Sequence, residues 1–161
     1  MPARPRLIVL VGMQGSGKST YAARLAAADP AIRVISRDAE VERLNAGRLP
    51  YDKALRRFAK TASRRLLAAL AEAGASSDDV VLDMTNGTRA ERARRMAFFP
   101  NHDKFAVCFA VPIQECRRRA ALRADKPLPP VAFFSFRKHY EPPSPDEGFI
   151  GIETIEPQSR L

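Results

Sequence analysis

Residues 6–28 read "RLIVLVGMQGSGKSTYAARLAAA". An apolar run, a glycine-rich turn and an alanine-rich helical stretch follow one another without interruption. The turn matches G-x-x-x-x-G-K-[ST] from Gly12 through Gly17, Lys18 and Ser19. Glycines let the backbone curl so that several N–H groups converge on one anion. The helix that follows turns the positive end of its dipole toward the same point. Gly12, Gln14, Gly15, Ser16, Gly17, Lys18, Ser19 and Thr20 are therefore candidate contacts to a nucleoside triphosphate, with ATP as the expected one. In this pattern the lysine reaches the β- and γ-phosphates and the Ser19 hydroxyl holds Mg2+. An ordinary glycine turn ahead of a helix would need neither.

Outward from this segment, short apolar runs alternate with longer helical patterns. The pattern predicts strands over 6–11, 31–36, 79–83 and 104–111, and a last strand within "FIGIETIE", which alternates with period two. Helices are expected from Lys18 to about Ala28, over "DKALRRFAKTASRRLLAALAEAG" with Gly74 as its C-cap, and over "RAERARRMAFF", "QECRRRAALRA" and "PPVAFFSFRKHY". Strands separated by helices imply parallel pairing through right-handed crossovers. The expected fold is a three-layer α/β/α P-loop NTPase fold with a parallel central sheet and a helical lid. At 161 residues the chain is expected to form one domain over 1–161. The proline-rich pieces "KPLPP" and "EPPSPDEG" read as ordered loops or lid hinges.

Composition narrows the partners. Hydrophobic content of 45% and charged content of 28% are ordinary for a soluble globular chain. The net charge of +9 is not, and 21 of the 27 basic residues are arginine. Arginine's planar fork suits phosphate better than lysine's point charge, so a nucleic-acid partner is expected, DNA ahead of RNA. The two cysteines, Cys108 and Cys116, have no metal spacing and imply no disulfide, which fits a reducing cytoplasm. The first apolar run flows straight into the glycine loop, so it is not read as a signal peptide. No run approaches the roughly 20 apolar residues of a membrane span.

In open α/β sheets ligands sit beyond the carboxyl ends of the strands. The second strand is followed by "SRDAEVERL", which puts Asp38 there with Arg37 beside it. The third is followed by "LDMTNGTR", which puts Asp83 in the equivalent place with Thr85, Asn86 and Arg89 nearby; "VVLD" resembles a Walker B strand. A carboxylate near a γ-phosphate is repelled by it. It is useful there for binding Mg2+ or for accepting a proton from an attacking hydroxyl. Helix capping is the structural alternative for both aspartates. In "CRRRAALRADKPLPP", Arg119 and Arg123 share a helical face ahead of the proline loop, which suits a lid that brings arginine onto transferring phosphates.

With these residues in view, the sequence resembles the kinase domain of the polynucleotide kinase family, P-loop phosphotransferases acting on 5′-hydroxyl ends of DNA and RNA. The resemblance runs from residue 7 to about 150. It rests on "GMQGSGKST", "SRDA", "LDMTNGTRAERARR", the Arg119/Arg123 pair and "YEPPSPDEGF". It implies Asp38 as general base, Lys18 and Ser19 as ligands of ATP and Mg2+, Asp83 as a second metal ligand, and Arg123 as the lid arginine. Arg37, Asp83, Thr85, Asn86 and Arg89 are the implied acceptor contacts. One position departs. Viral members carry an arginine three residues after the base; here that position is Val41, and Arg37, Arg43 or Arg89 would have to take over. That leaves a related acceptor in play, the hydroxymethyl group of a modified base such as 5-hydroxymethyluracil in phage DNA. A small-molecule P-loop kinase and a nucleotide-dependent switch are the readings from other classes.

Overall fold

A computed structural model describes residues 2–123, 125–126 and 128–157. Strand β1 (Arg6–Val11) is buried along all but its first residue, which is why its sequence is continuously apolar rather than alternating. Its side chains still divide between two faces. Leu7, Val9 and Val11 join Leu66, Leu70, Ala73, Met96 and Phe99 on one side of the sheet. Ile8 and Leu10 join Ala22, Tyr21 and Leu25 on the other. Two apolar layers around one sheet require helices on both faces.

Helix α1 (Lys18–Ala28) follows β1 and leads to β2 (Arg33–Ile35), α2 (Arg37–Asn45), α3 (Tyr51–Gly74) and β3 (Val80–Leu82). Then come α4 (Arg89–Met96), β4 (Asp103–Phe109), α5 (Ile113–Ala121), α6 (Pro130–His139) and β5 (Gly151–Ile155). The five strands form one sheet in the order β2-β3-β1-β4-β5, every pair parallel. Leu7 pairs with Val80 on one flank and Lys104 on the other, so β1 lies centrally and its carboxyl end opens at the middle of the sheet. The expected α/β three-layer architecture with a parallel sheet is the one observed. Among the described residues no helix is long and apolar enough to cross a membrane.

Three local features differ from the sequence expectation. Helix α2 was not expected as an element of its own. Its mean hydropathy is low and its register is set by the Ser36 cap, whose hydroxyl accepts from the Ala39 amide at 3.3 Å. Gly74 is the last residue of α3 and not its C-cap, a place Ala75 takes. A Cβ at Gly74 would sit 1.9 Å from the Phe98 carbonyl, so the glycine serves close packing against the end of α4. The fifth helix ends at Ala121. Ala124, expected in that helix, and Pro127 of the proline-rich loop lie outside the described residues.

Candidate active site

The glycine loop is shaped as its sequence requires. Gly15 and Gly17 take left-handed φ values of 78° and 100°. A Cβ at Gly15 would meet the Cys116 carbonyl oxygen at 2.5 Å, so both conformation and space demand glycine. The Gly12 amide donates to the Thr85 carbonyl at 3.1 Å, which ties the loop to the segment after β3. Met13 packs with Cys116, Ala120 and Phe133, which ties it to α5 and α6.

Gly17 precedes α1, and no side chain caps that helix; its first turn carries no acid either. Its leading amides are thus left to an incoming anion. Two buried polar atoms of the loop, Gln14 Oε1 and Ser16 Oγ, have no hydrogen-bond partner among the described residues. An uncapped helix start, a glycine cradle and unpartnered buried polar atoms together fit a bound triphosphate.

Lys18 is buried and its Nζ donates to the Met13 carbonyl at 2.8 Å. Desolvation pulls its pKa down to about 8, against the opposing pull of Asp83 and Asp38. Asp83 is held at the other side. Burial raises its pKa, while a hydrogen bond from the Ser19 hydroxyl and the charge of Lys18 pull the other way, and Asp38 adds to the rise. Lys18, Ser19, Asp38 and Asp83 are therefore near enough to one another to interact. Among the described residues no three His, Cys, Asp or Glu side chains cluster as a metal site. The Ser19 hydroxyl and the Asp83 carboxylate, joined by their hydrogen bond, are hard oxygen donors of the kind Mg2+ takes.

Asp38 lies in the first turn of α2 and is solvent-exposed. Its Oδ1 accepts a hydrogen bond from the Tyr51 hydroxyl at 3.0 Å. Burial, the Asp38 charge and that bond push the Tyr51 phenol far above its ordinary range, while Arg37 and Arg123 act in the opposite sense. Both arginines are thus within electrostatic reach of the Tyr51 phenol. Arg119 is placed differently. Its Nη1 lies 3.9 Å from where a Cβ on Gly17 would be, and its Nε is held by Glu115 at 2.9 Å. The helical face expected to carry both arginines stops at Ala121, before Arg123: Arg119 lies in α5 beside the phosphate loop, and Arg123 follows the helix and acts electrostatically on Tyr51. Lys126 follows on the same side of Tyr51. It pairs with Glu42 and stands 5.6 Å from the centre of the Tyr51 ring.

Several expected acceptor contacts are committed elsewhere. Asn86 is fully buried in a left-handed conformation, φ 46°. Its Nδ2 donates to the carbonyls of Leu10 at 2.8 Å and Met84 at 3.2 Å, and its Oδ1 accepts from Arg95 at 2.6 Å. It is a brace joining β1, the end of β3 and α4, and full burial keeps its side chain from a substrate. Arg89 donates from its guanidinium to Ser144 and Asp146, and its amide to Glu141. Arg43 pairs with Glu40 beside the outer edge of β2. Val41 is 0% exposed in the α2–α3 core, a place where an arginine could not sit without disrupting that packing. Of the three arginines named for the missing grip, Arg37 is the one that acts electrostatically on Tyr51, the partner of Asp38.

Thr85 does reach open space. With Gln14, Gly87, Thr88, Phe136 and His139 it lines a cleft of about 360 Å³ between the segment after β3 and α6. Tyr51 and Lys126 were not found from sequence, nor was the buried pair of Arg92 with Glu147. The last explains "EPPSPDEGF": its glutamate is the counterion of Arg92 and its Phe149 enters the core.

A family model described as an AAA domain matches residues 7–143. No curated protein sequence matches the chain. Among solved structures, a provisionally named kinase from Chloroflexus aurantiacus superposes with a TM-score of 0.70 at 19% identity, covering 95% of this chain and 85% of that one. A gluconokinase from Sinorhizobium meliloti gives 0.61 at 20% identity, covering 96% and 84%. A fungal RNA kinase gives 0.63 at 16% identity, covering 96% of this chain and 38% of that one. At these identities the likeness establishes the fold.

Proposed function

The chain belongs to the AAA-domain family, and on that premise we propose that it is an ATP-dependent kinase acting on a hydroxyl of a polynucleotide, first of all a free 5′-OH end of DNA. The observation that carries the reading is Asp38, an exposed carboxylate held by Tyr51 at the carboxyl end of β2 and within electrostatic reach of Lys18. A switch needs no such group. A phosphotransferase to an alcohol does.

In the proposed reaction the acceptor hydroxyl gives its proton to Asp38 as its oxygen bonds to the γ-phosphorus. The bond from that phosphorus to the β,γ-bridging oxygen breaks and ADP leaves. Lys18 and Arg119, both at the phosphate loop, stabilise the charge that develops on the transferring group. Ser19 and Asp83 would hold Mg2+, which when bound neutralises charge on the β- and γ-phosphates. Arg37 and Arg123, within electrostatic reach of the Tyr51 that holds Asp38, would suit a phosphate of the acceptor strand.

The choice of a polynucleotide rests on the net charge of +9 and on that pair of acceptor-side arginines. A second reading, a small-molecule kinase, is favoured by the cleft beside Thr85, whose volume of about 360 Å³ falls in the range of small-ligand sites. Label transfer from γ-labelled ATP separates them. The panel is a DNA and an RNA oligonucleotide with free 5′-OH ends, a 5′-blocked duplex carrying 5-hydroxymethyluracil, and small hydroxyl compounds including sugar acids. Label is expected in the free 5′-OH strands, DNA before RNA. Label confined to the blocked duplex would move the acceptor to the base. Label confined to a small compound would overturn the polynucleotide reading and leave the donor site standing.

A further inference from the structure

Arg95 stands in the last turn of α4, yet its guanidinium is not used there. Helical side chains lean toward the amino end of their helix. Arg95 accordingly reaches back to Asn86, which precedes the Thr88 cap, and its Nη1 donates to Asn86 Oδ1 at 2.6 Å. The Nδ2 of the same amide donates to the carbonyls of Leu10 at 2.8 Å and Leu82 at 3.4 Å. The guanidinium is thereby carried to the carboxyl ends of β1 and β3, the end of the sheet that bears the phosphate loop and Asp83.

An exposed arginine needs no counterion, because water serves it. A half-buried one does. Among the described arginines, Arg33, Arg37, Arg92, Arg95 and Arg119 are the ones withdrawn from full exposure. Arg33 pairs with Glu72, Arg92 with Glu147 and Arg119 with Glu115. Arg37 and Arg95 have no carboxylate partner among the described residues, and the Asn86 bond is the one hydrogen bond that Arg95 makes. Burial pulls the Arg95 pKa below its ordinary range; Glu91 opposes that fall, and Arg94 and Arg37 add to it. Glu91 forms no ion pair with Arg95, and its carboxylate accepts from the Thr88 amide at 3.4 Å in the capping box of α4. Arg37 is thus within electrostatic reach of Arg95 on one side and of the Tyr51 phenol that holds Asp38 on the other. Two half-buried guanidiniums that repel each other would be relieved by an anion between them.

We infer that Arg37 and Arg95 form a clamp for one phosphate of the acceptor, the phosphate on the 3′ side of the sugar whose 5′-hydroxyl meets Asp38; the inference rests on the polynucleotide reading above. Arg37 adjoins Asp38 in the first turn of α2, so the clamp stands next to the proposed base. Along a strand that begins with a free 5′-hydroxyl, the first phosphate is the one 3′ to the same sugar. Asn86 is then a positioning residue. It fixes Nη1 of Arg95 and leaves Nε and Nη2 to the anion, whose oxygens match the spacing of a guanidinium fork. The carboxylate of a sugar acid fits the same fork, and the test includes one.

The test uses the full chain with its donor site filled by Mg2+ and the non-hydrolysable analogue AMP-PNP. Deoxyadenosine 3′-monophosphate, deoxyadenosine and gluconate are titrated into it calorimetrically. Wild type should bind the 3′-phosphate at least about tenfold more tightly than the nucleoside. Arg95→Gln and Arg37→Gln should each weaken binding of the 3′-phosphate by about 10- to 100-fold and leave AMP-PNP affinity unchanged. Arg37 makes no bond within the fold, so its variant decides the matter should Arg95→Gln melt early. Equal losses for the 3′-phosphate, the nucleoside and AMP-PNP would make Arg95 a brace and overturn the clamp. So would a wild type indifferent to the phosphate, or one that prefers gluconate. Transfer from labelled ATP to a 5′-OH oligonucleotide is measured alongside. Transfer without dependence on either arginine removes the clamp and leaves the acceptor reading. Arginine-dependent binding of the 3′-phosphate with no transfer to any nucleic acid leaves the clamp and removes that reading.

Discussion

The pair Arg92–Glu147 offers a sharp test of how the site is held, through Glu147→Gln. The Arg92 side chain is 0% exposed and that of Glu147 3%. Arg92 Nε and Nη2 donate to the two carboxylate oxygens at 2.8 and 3.0 Å, and Nη1 donates to the carbonyls of Asn86 at 3.0 Å and Glu141 at 2.9 Å. Glu147 also accepts from the Ser144 amide at 2.9 Å. The glutamine keeps the size and removes the charge, so a guanidinium is left buried with carbonyl dipoles alone. Breaking a buried pair from one side costs about 3–5 kcal/mol. Against a domain stability of about 5–15 kcal/mol that is a large fraction. For a chain of this size it corresponds to a fall in melting temperature of roughly 6–20 °C.

Urea unfolding at neutral pH reads the loss directly, and acid unfolding reads its sign. Burial alone would raise the Glu147 pKa, but the bonds from Arg92 and Ser144 and the Arg92 charge outweigh it and hold the pKa below its ordinary value of 4.5. A depressed folded-state pKa contributes stability that is complete above the unfolded value and is lost as pH falls through the folded one. Wild type should therefore lose stability below about pH 4.5, and Glu147→Gln should lose less over that range. A cost under about 1 kcal/mol, or an acid limb identical in the two proteins, refutes the reasoning.

Three further outcomes follow from the site. With its pKa at about 8, Lys18 loses its charge as pH rises through that value, so ATP affinity should weaken above pH 8 and Lys18→Met should abolish that dependence, both read by nucleotide titration. Asp38→Asn should lower turnover by about 10²–10⁴ with ATP affinity nearly kept, while Tyr51→Phe should lower it less; ATP affinity lost at unchanged turnover would make Asp38 a donor-site group. Arg119→Ala should act on turnover and Arg123→Ala on the KM of a nucleic-acid acceptor; equal effects on both constants would deny the division of the two arginines.

What the sequence made legible was local. The phosphate loop could be read because its function lies in consecutive backbone amides, and Gly15 is fixed by a φ of 78° that the motif already encodes. The strands could be read because parallel strands buried on two faces leave unbroken apolar runs, as in β1 and β3. Their carboxyl ends then pointed to Asp38 and Asp83 without any knowledge of contacts. Short α2 escaped because a solvated helix of nine residues leaves little apolar periodicity.

The contacts that position those groups were illegible for a different reason. Tyr51 is 13 residues from Asp38, and nothing in "RLPYDK" marks a phenol that crosses between two helices to reach a carboxylate. Glu147 is 55 residues from Arg92, and the charge of one gives no hint of the other. Asn86 looks in sequence like one more polar residue beside Asp83, yet three backbone carbonyls and Arg95 take up its amide. The same logic recasts Val41. Read alone it is a missing arginine; buried in the α2–α3 core, it means that a grip on the acceptor has to come from outside α2's buried face. Arg37 and Arg123, which act electrostatically on the Tyr51 phenol beside Asp38, are candidates for that grip.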